Sequence, residues 1–582
     1  MTSAPVICRR PVLAAPLADM HPVVARVLAA RGITHADELD VALAELPRPR
    51  LADVEAAVAR LAQARAAAEK ILLVGDFDAD GATSVALALR GLRALGYGAV
   101  EYLVPNRFDY GYGLTPELVE LAAERQPDLI VTVDNGVSSH AGVAAAAARG
   151  IDTIVTDHHL PGADLPQAVA VVNPNREDCP FPCKELAGVG VVFYLLIALR
   201  AHLSEQGNLD PAPSIAGLLD LVALGTVADL VKLDRTNRIL VEQGLRRIRA
   251  GQAAPGILAL LGIARREPAT VSAGDLGYAV APRLNAAGRL ADMTLGIETL
   301  LADTPEDAHA AATRLDELNT ERRRIEGEMR AQADTELDRL RAPFEERTLP
   351  AGIVLHDERW HEGVIGILAG RVREAVHRPA VVFADAEEPG MLKGSARSVP
   401  GLHVRDVLAR IAAAQPELLQ RFGGHAMAAG LQLAADQLPV FRKAFIREVE
   451  LVVGDGTPVH EVQTDGVLED AELSLATAEA LRLAGPWGPG FPEPVFDGEF
   501  DVRKAWTVGE RHLKLKLVPV DGGAPVEAIA FNADAALHDD PGARVRLVYR
   551  LDVNEYRGRR SALLVIEHLE RIGRDMKEQA SG

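Results

Sequence analysis

Three strand-length runs that each end on acid or imidazole constrain this chain more than any other feature. Residues 71–75 run into Asp76, Asp78 and Asp80, with Gly81 following; residues 129–133 run into Asp134-Asn135-Gly136; residues 152–156 run into Asp157-His158-His159. Two more apolar runs, 99–105 and 168–173, complete a set of five, and helix-like stretches lie between most of them at 82–95, 116–125 and 138–149. Thr115-Pro116 opens the second helix with a capping hydroxyl and a proline suited to the first turn. Strand–helix alternation at this spacing predicts βαβ units around a mainly parallel sheet, whose doubly covered strands read as apolar runs. In such a sheet ligands bind outside the carboxyl ends of the strands, which is where all three polar clusters fall.

A buried strand end is a costly place for an unpaired charge, and several carboxylates gathered there repel one another unless cations sit among them. Oxygen ligands with imidazole suit Mn²⁺ or Mg²⁺ better than a thiolate-seeking ion. The DxDxD run by itself reads equally as a solvated turn; the convergence of three strand ends favours a site. Asp229 interrupts the apolar helical segment 215–233 as a further acid. Alone it reads as a capped or hydrogen-bonded helix residue, and Asp220 is read as structural. Such a cluster can hold two cations about 3.5–4 Å apart, clamp a phosphate oxygen and activate a water. Neither a Ser/His/Asp nucleophile set nor a GxxxxGK[ST] phosphate loop is evident, so hydroxide attack on phosphorus is the expected chemistry.

The 582 residues are enough for several domains, and 48% are hydrophobic. No run of 18 apolar residues predicts a membrane span, and no signal-peptide core follows Arg9 and Arg10. Cys8, Cys179 and Cys183 make no disulfide framework, which fits a reducing cytoplasm. Cys179 and Cys183 lack two further zinc ligands nearby and are read as structural. The net charge of −20 weighs against a broad basic footprint. Bound cations would offset part of it, and basic residues need line only one groove; residues 503–560 carry eleven Lys/Arg against eight Asp/Glu.

Beyond a Pro- and Ala-rich segment, 1–50, the first α/β domain is expected over 51–304. A densely charged helix without further proline follows at 305–342, polar on most faces and read as bridging two domains. A second α/β domain is expected over 343–455, with strands at 352–355 and 380–384 and a helix at 363–376. A Pro/Gly linker, GPWGPGFPEPVF at 485–496, precedes alternating strands, clearest at 512–517 and 544–551, which suggest a small oligonucleotide-binding (OB)-like β-barrel within 456–575.

The motif order GDFDADG, VDNG, TDHH and GTVADL resembles the DHH phosphoesterase superfamily. The strings VPNRFDYGYGL, LAGVGVVF, APRLNAAGRL, GSARS and GGHAMAAG are similar to its RecJ exonuclease family, and the resemblance covers nearly everything after about residue 50. It implies a DHH catalytic domain, a DHH-associated (DHHA1) second domain and an OB-like nucleic-acid-binding domain. It further implies a two-metal, Mn²⁺- or Mg²⁺-dependent 5′→3′ exonuclease that releases 5′-mononucleotides from single-stranded DNA in repair and recombination. Asp78 and Asp80 would ligate one metal each, Asp134 would bridge, His158 and Asp229 would complete the shells, and Asp76 would support or join them. Asp157 would orient its loop, and His159 and His425 would meet the scissile phosphate. Arg107, Arg283, Asn285 and Arg289 would hold the strand, and Ser395 and Arg397 the terminal 5′-phosphate. Work beside a single-strand DNA-binding protein and a helicase is implied; no association motif is evident, so a monomer is expected, and the cysteine usage places it in the cytoplasm. The other reading, a nanoRNA or cyclic-dinucleotide phosphodiesterase, has no need of the barrel or of APRLNAAGRL. A non-catalytic scaffold would have no need of the ligand set.

Overall fold

The computed structural model describes residues 6–105, 113–209, 211–345, 349–386, 388–424, 426–453, 461–509, 512–531, 542–556 and 558–572. Two compact units emerge: Arg10–Thr320 with Asp465–Gly582, and Met1–Arg9 with Glu321–Thr464.

The first unit is built on five parallel strands, β1 (Ile71–Gly75), β2 (Val100–Leu103), β3 (Leu129–Val133), β4 (Asp152–Thr156) and β5 (Ala170–Val172), in the spatial order β2-β1-β3-β4-β5. Alternate residues of β1 serve two cores. Ile71 and Leu73 join Val85, Leu89, Val192 and Leu196, whereas Leu72 and Val74 join Leu118, Val119 and Val143. That double burial is why β1 is apolar throughout. The order reverses between β1 and β3, and at such a switch point a crevice opens outside the strand ends.

The helices are α1 (Ala79–Ala94), α2 (Pro116–Ala123), α3 (His140–Ala148), α4 (Gly188–Glu205), α5 (Leu219–Ala228) and α6 (Ala281–Leu290). Thr115 caps α2, its hydroxyl accepting from Leu118 N–H at 3.2 Å. By length and composition α4 is apolar enough to cross a membrane, but 61% of it is buried, and it packs on α1 and α5 as a core helix. The apolar segment 215–233 is a 3₁₀ turn, Ile215–Leu218, followed by α5, which stops ahead of a left-handed Leu230.

A long helix, α7 (Pro305–Glu345), occupies the stretch expected to be helical. In the second unit, β6 (Ile353–His356) pairs parallel with β7 (Ala380–Asp385), and α8 (Glu362–Val376) connects them. Three antiparallel strands, β8 (Met391–Arg397), β9 (Arg421–Gly424) and β10 (Ala428–Ala434), complete the order β9-β10-β8-β7-β6. Within the first 50 residues, Pro22–Ala30 is a short helix. Val6–Arg9, however, is a strand paired parallel with Glu461–Thr464, a partner too distant in sequence for local pattern to reveal.

Back in the first unit, β11 (Phe496–Val508), β12 (His512–Pro519), β13 (Val526–Ala530), β14 (Arg544–Tyr556) and β15 (Arg559–Ile572) pair in the order β11-β12-β13-β15-β14, and β11 pairs with β14 to close the ring. Phe496, Phe500, Leu515, Leu547 and Leu564 are buried in it. The preceding linker is a packed joint. Trp487 and Phe491 stack at 5.0 Å, under the guanidinium groups of Arg31 and Arg238 respectively. Arg31 also holds Asp465 in a buried ion pair of 2.8 Å.

Candidate metal centre

The loop after β1 turns at once into α1, so its three aspartates are delivered from one short stretch. Asp78 caps α1, its carboxylate accepting from Gly81 N–H at 2.9 Å, and Asp76 Oδ1 accepts from Phe77 N–H at 2.7 Å. Asp80, in the first turn of α1, is 1% exposed. Its two oxygens accept from Gly188 and Val189 N–H at 2.7 and 3.0 Å, satisfying the first amides of α4, where a helix has unpaired donors and positive potential. Gly188 is required there: a Cβ at that position would lie 2.5 Å from Asp134 Oδ1.

Asp134 leaves β3 with φ +64°, and its amide donates to Thr156 O at 3.0 Å, holding it between β3 and β4. Asn135 Nδ2 donates to Val74 O and Val133 O, tying that turn to β1. Asp157 organises the next loop. Its Oδ1 accepts from His158 N–H, from His159 N–H and from the His159 ring Nδ1, and its Oδ2 accepts from Val137 N–H, all within 3.0 Å. His158 Nε2 thereby stands 3.2 Å from Asp134 Oδ1 and 3.5 Å from Asp229 Oδ2 at the end of α5.

Ligand atoms gather in three sets, each within 4.8 Å: Asp76, Asp78 and Asp134; Asp80, His158 and Asp229; and Asp134, His158 and His159. The first two share no residue, and the third links them. Burial, then the charge of Asp78, raises Asp76 and Asp80 to about 7. Burial, then Asp80, raises Asp229 to about 8, and Asp134 is pushed well up by burial and four neighbouring carboxylates. These groups are too close and too dry to ionise together unaided, and divalent cations would relieve that repulsion. The oxygen-rich, imidazole-containing donor set fits such ions. His159 is raised to about 9: burial opposes its charge, but the bond to Asp157 and the surrounding carboxylates outweigh it.

α6 buttresses this loop. Asn285 Oδ1 accepts from Ala79 N–H at 2.8 Å, and a Cβ on Gly288 would lie 1.8 Å from Phe77 O. Gly288→Ala must therefore push α6 off the β1 loop. We expect it to cost about 1–3 kcal/mol and to weaken Mn²⁺ binding; a calorimetric melt and a metal titration matching wild type would refute the buttress.

Of the other expected strand contacts, Arg283 is 8% exposed, with its guanidinium on Asp316 and Ala279 O, and Arg289 is exposed. On β8, Arg397 Nη1 donates to Ser395 Oγ at 3.0 Å. Burial and then Arg373 lower the Arg397 pKa, so an anion would be welcome beside it. Arg107 and His425 lie outside the described residues. Asp220 accepts from Ala254 N–H at 2.6 Å, a structural role. Sequence reasoning assigned no role to Gly188, Val189 or Gly288. The two glycines carried a signal inside LAGVGVVF and APRLNAAGRL, where an ordinary helix has no use for them; Val189 carried none.

The chain matches the DHH family, N-terminal domain, over residues 70–226, the DHHA1 domain over 350–451 and the RecJ OB domain over 464–568. It is 51% identical over 559 residues to the single-stranded-DNA-specific exonuclease RecJ of Salmonella typhimurium, covering 95% of this chain and 96% of that one. The chain belongs to the RecJ family of the DHH superfamily. Its fold is similar to Thermus thermophilus RecJ in complex with Mn²⁺ (TM-score 0.73, 30% identity) and with Mg²⁺ (TM-score 0.68, 28% identity). Each comparison covers 95% of this chain, and 76% and 75% of the respective Thermus chains.

Proposed function

We propose that this protein is a 5′→3′ exonuclease specific for single-stranded DNA, releasing 5′-mononucleotides. The observation that carries the reading is the pair of ligand sets, held on the carboxyl edge of the sheet where its strand order reverses. A near-full-length relative named a single-stranded-DNA-specific exonuclease supports the choice of substrate.

Asp76 and Asp78 would hold one cation, and Asp80, His158 and Asp229 a second, with Asp134 between them. When bound, two such ions polarise the phosphodiester and activate a water for in-line attack. The chain's own residues prepare that event. The Asp80 carboxylate is locked by two backbone amides, and Asp134 by burial and by its own amide's bond to Thr156 O, so little reorganisation remains for the moment of reaction. Asp157 fixes the His159 ring through Nδ1, which leaves Nε2 to meet the scissile phosphate; His425 would approach the same phosphate. Arg107, Arg283, Asn285 and Arg289 are assigned to the strand, and Ser395 with Arg397 to the terminal 5′-phosphate, where arginine and hydroxyl suit an anion.

Asp157→Asn removes the charge that organises both histidines. We expect kcat/KM to fall about 10–100-fold, as for other residues that orient metal ligands, with circular dichroism unchanged; wild-type kinetics would remove Asp157 from the mechanism.

On the strength of the family resemblance, the work assigned is repair and recombination beside a single-strand DNA-binding protein and a helicase; the cysteine usage assigns it to the cytoplasm, and it is taken to act as a monomer. The deciding experiment follows two oligomers labelled at the 5′ or the 3′ end. Immediate release of a labelled mononucleotide from the 5′ end, gradual shortening of the 3′-labelled strand and silence in EDTA are expected. Survival of long oligomers while di- to tetranucleotides are cut would overturn the reading.

A further inference from the structure

Large side chains with apolar surface stand in solvent on the segments that build and flank the carboxylate and histidine cluster. Leu160, next after His159, is 76% exposed, Leu230, next after Asp229, is 67% exposed, and Tyr278 is 82% exposed. Leu230 is held at φ +60°, a left-handed conformation that residues with a side chain adopt only where their surroundings impose it. Tyr278 lies in a five-residue π-helical turn, Leu276–Val280, directly ahead of α6. Such turns concentrate at functional sites. This one is laid against the end of α5: a Cβ on Gly277 would stand 3.2 Å from Val227 Cγ1, two residues before Asp229. The helix that follows reaches the β1 loop through Asn285 and Gly288. Turn and helix together therefore span from the Asp229 corner of the cluster to its Asp76–Asp80 corner.

Resting on the nuclease reading above, we propose that Tyr278 binds the strand by stacking on one of its nucleobases. Every base has a π-face, so an exposed aromatic ring binds bases without regard to sequence. A base inside a duplex already has both faces covered by its neighbours, whereas an unpaired strand can offer one. Stacking beside the cluster would thus fix the adjacent phosphate over the metal ligands and favour single strands in the same act. A ring face presents no base-specific donors or acceptors, which fits a degradative rather than a sequence-reading contact.

The test uses the full chain with Tyr278→Ala and Tyr278→Phe, on a thymidine oligomer and on a matched oligomer whose 5′-terminal nucleotides are abasic. Binding is read by anisotropy in EDTA and turnover with Mn²⁺. Tyr278→Ala should raise Kd and KM about ten-fold on the thymidine oligomer, with kcat within about two-fold, while Tyr278→Phe retains wild-type values. On the abasic oligomer, wild type and Tyr278→Ala should coincide. Equal affinities of wild type and Tyr278→Ala for the thymidine oligomer would overturn the proposal, as would an equal loss on the abasic one. Wild-type cleavage in the same assay keeps either failure separate from failure of the nuclease reading; a wild type that neither binds nor cuts either oligomer overturns both.

Discussion

Replacing Asp134 with asparagine should lower single-strand hydrolysis by about a thousand-fold or more while the protein stays folded. The magnitude is that of removing a preorganised electrostatic contact from a dry site, and here the residue lost would stand between two cations. Asparagine is the informative substitute. Asp134 holds φ +64°, a conformation asparagine tolerates better than most residues, and the amide keeps the shape of the carboxylate. Asp134 is 2% exposed and its charge is opposed by four neighbouring carboxylates, so the metal-free variant should melt no lower than wild type. Alanine should abolish activity as well. Kinetics on a 5′-labelled oligomer, paired with calorimetry in EDTA, test both halves. Full activity in a folded variant would sink the bridging assignment.

The second large effect is a metal-linked dependence of stability on pH. Asp76 and Asp80 are raised to about 7 and Asp229 to about 8, chiefly by burial and then by neighbouring carboxylates, against an ordinary carboxyl value near 4. The metal-free fold therefore favours the protonated groups. Their stabilising share is whole below about pH 4 and is lost as the pH rises through about 7 to about 8. Cations that bind the ionised groups reverse the loss, by an amount that grows with occupancy. The melting temperature in EDTA should fall between pH 5 and pH 8.5, and Mn²⁺ should restore it by roughly 5 °C or more at pH 8.5 but far less at pH 5. A metal-induced shift of equal size at both pH values would mean that the ions bind elsewhere.

What could be read from residues alone was whatever a short window of chain decides. The five strands, α2 with its Thr115 cap and the long charged helix lie where periodicity placed them, because a run buried on both faces of a parallel sheet must be apolar and a helix start needs a cap. The acid clusters were equally legible, since each is the immediate continuation of its strand. The long-range pairings were not. Val6–Arg9 pairs with Glu461–Thr464, and the GSARS and GGHAMAAG strings fall on strands β8, β9 and β10, whose antiparallel pairing no local pattern announced.

At the metal centre the same division holds. Composition and spacing determined that aspartates and histidines would crowd the carboxyl edge of a parallel sheet and that this edge would need cations. Only the tertiary structure decided which atoms meet: that Asp80 caps a helix beginning 108 residues later through Gly188, that Asp157 takes the amide of Val137 as well as those of its own loop, and that Arg283 pairs with Asp316. These are contacts between elements far apart in the chain. Each carries a loop-closure cost that only the assembled cores repay, and no single stretch of sequence records the partner it will find.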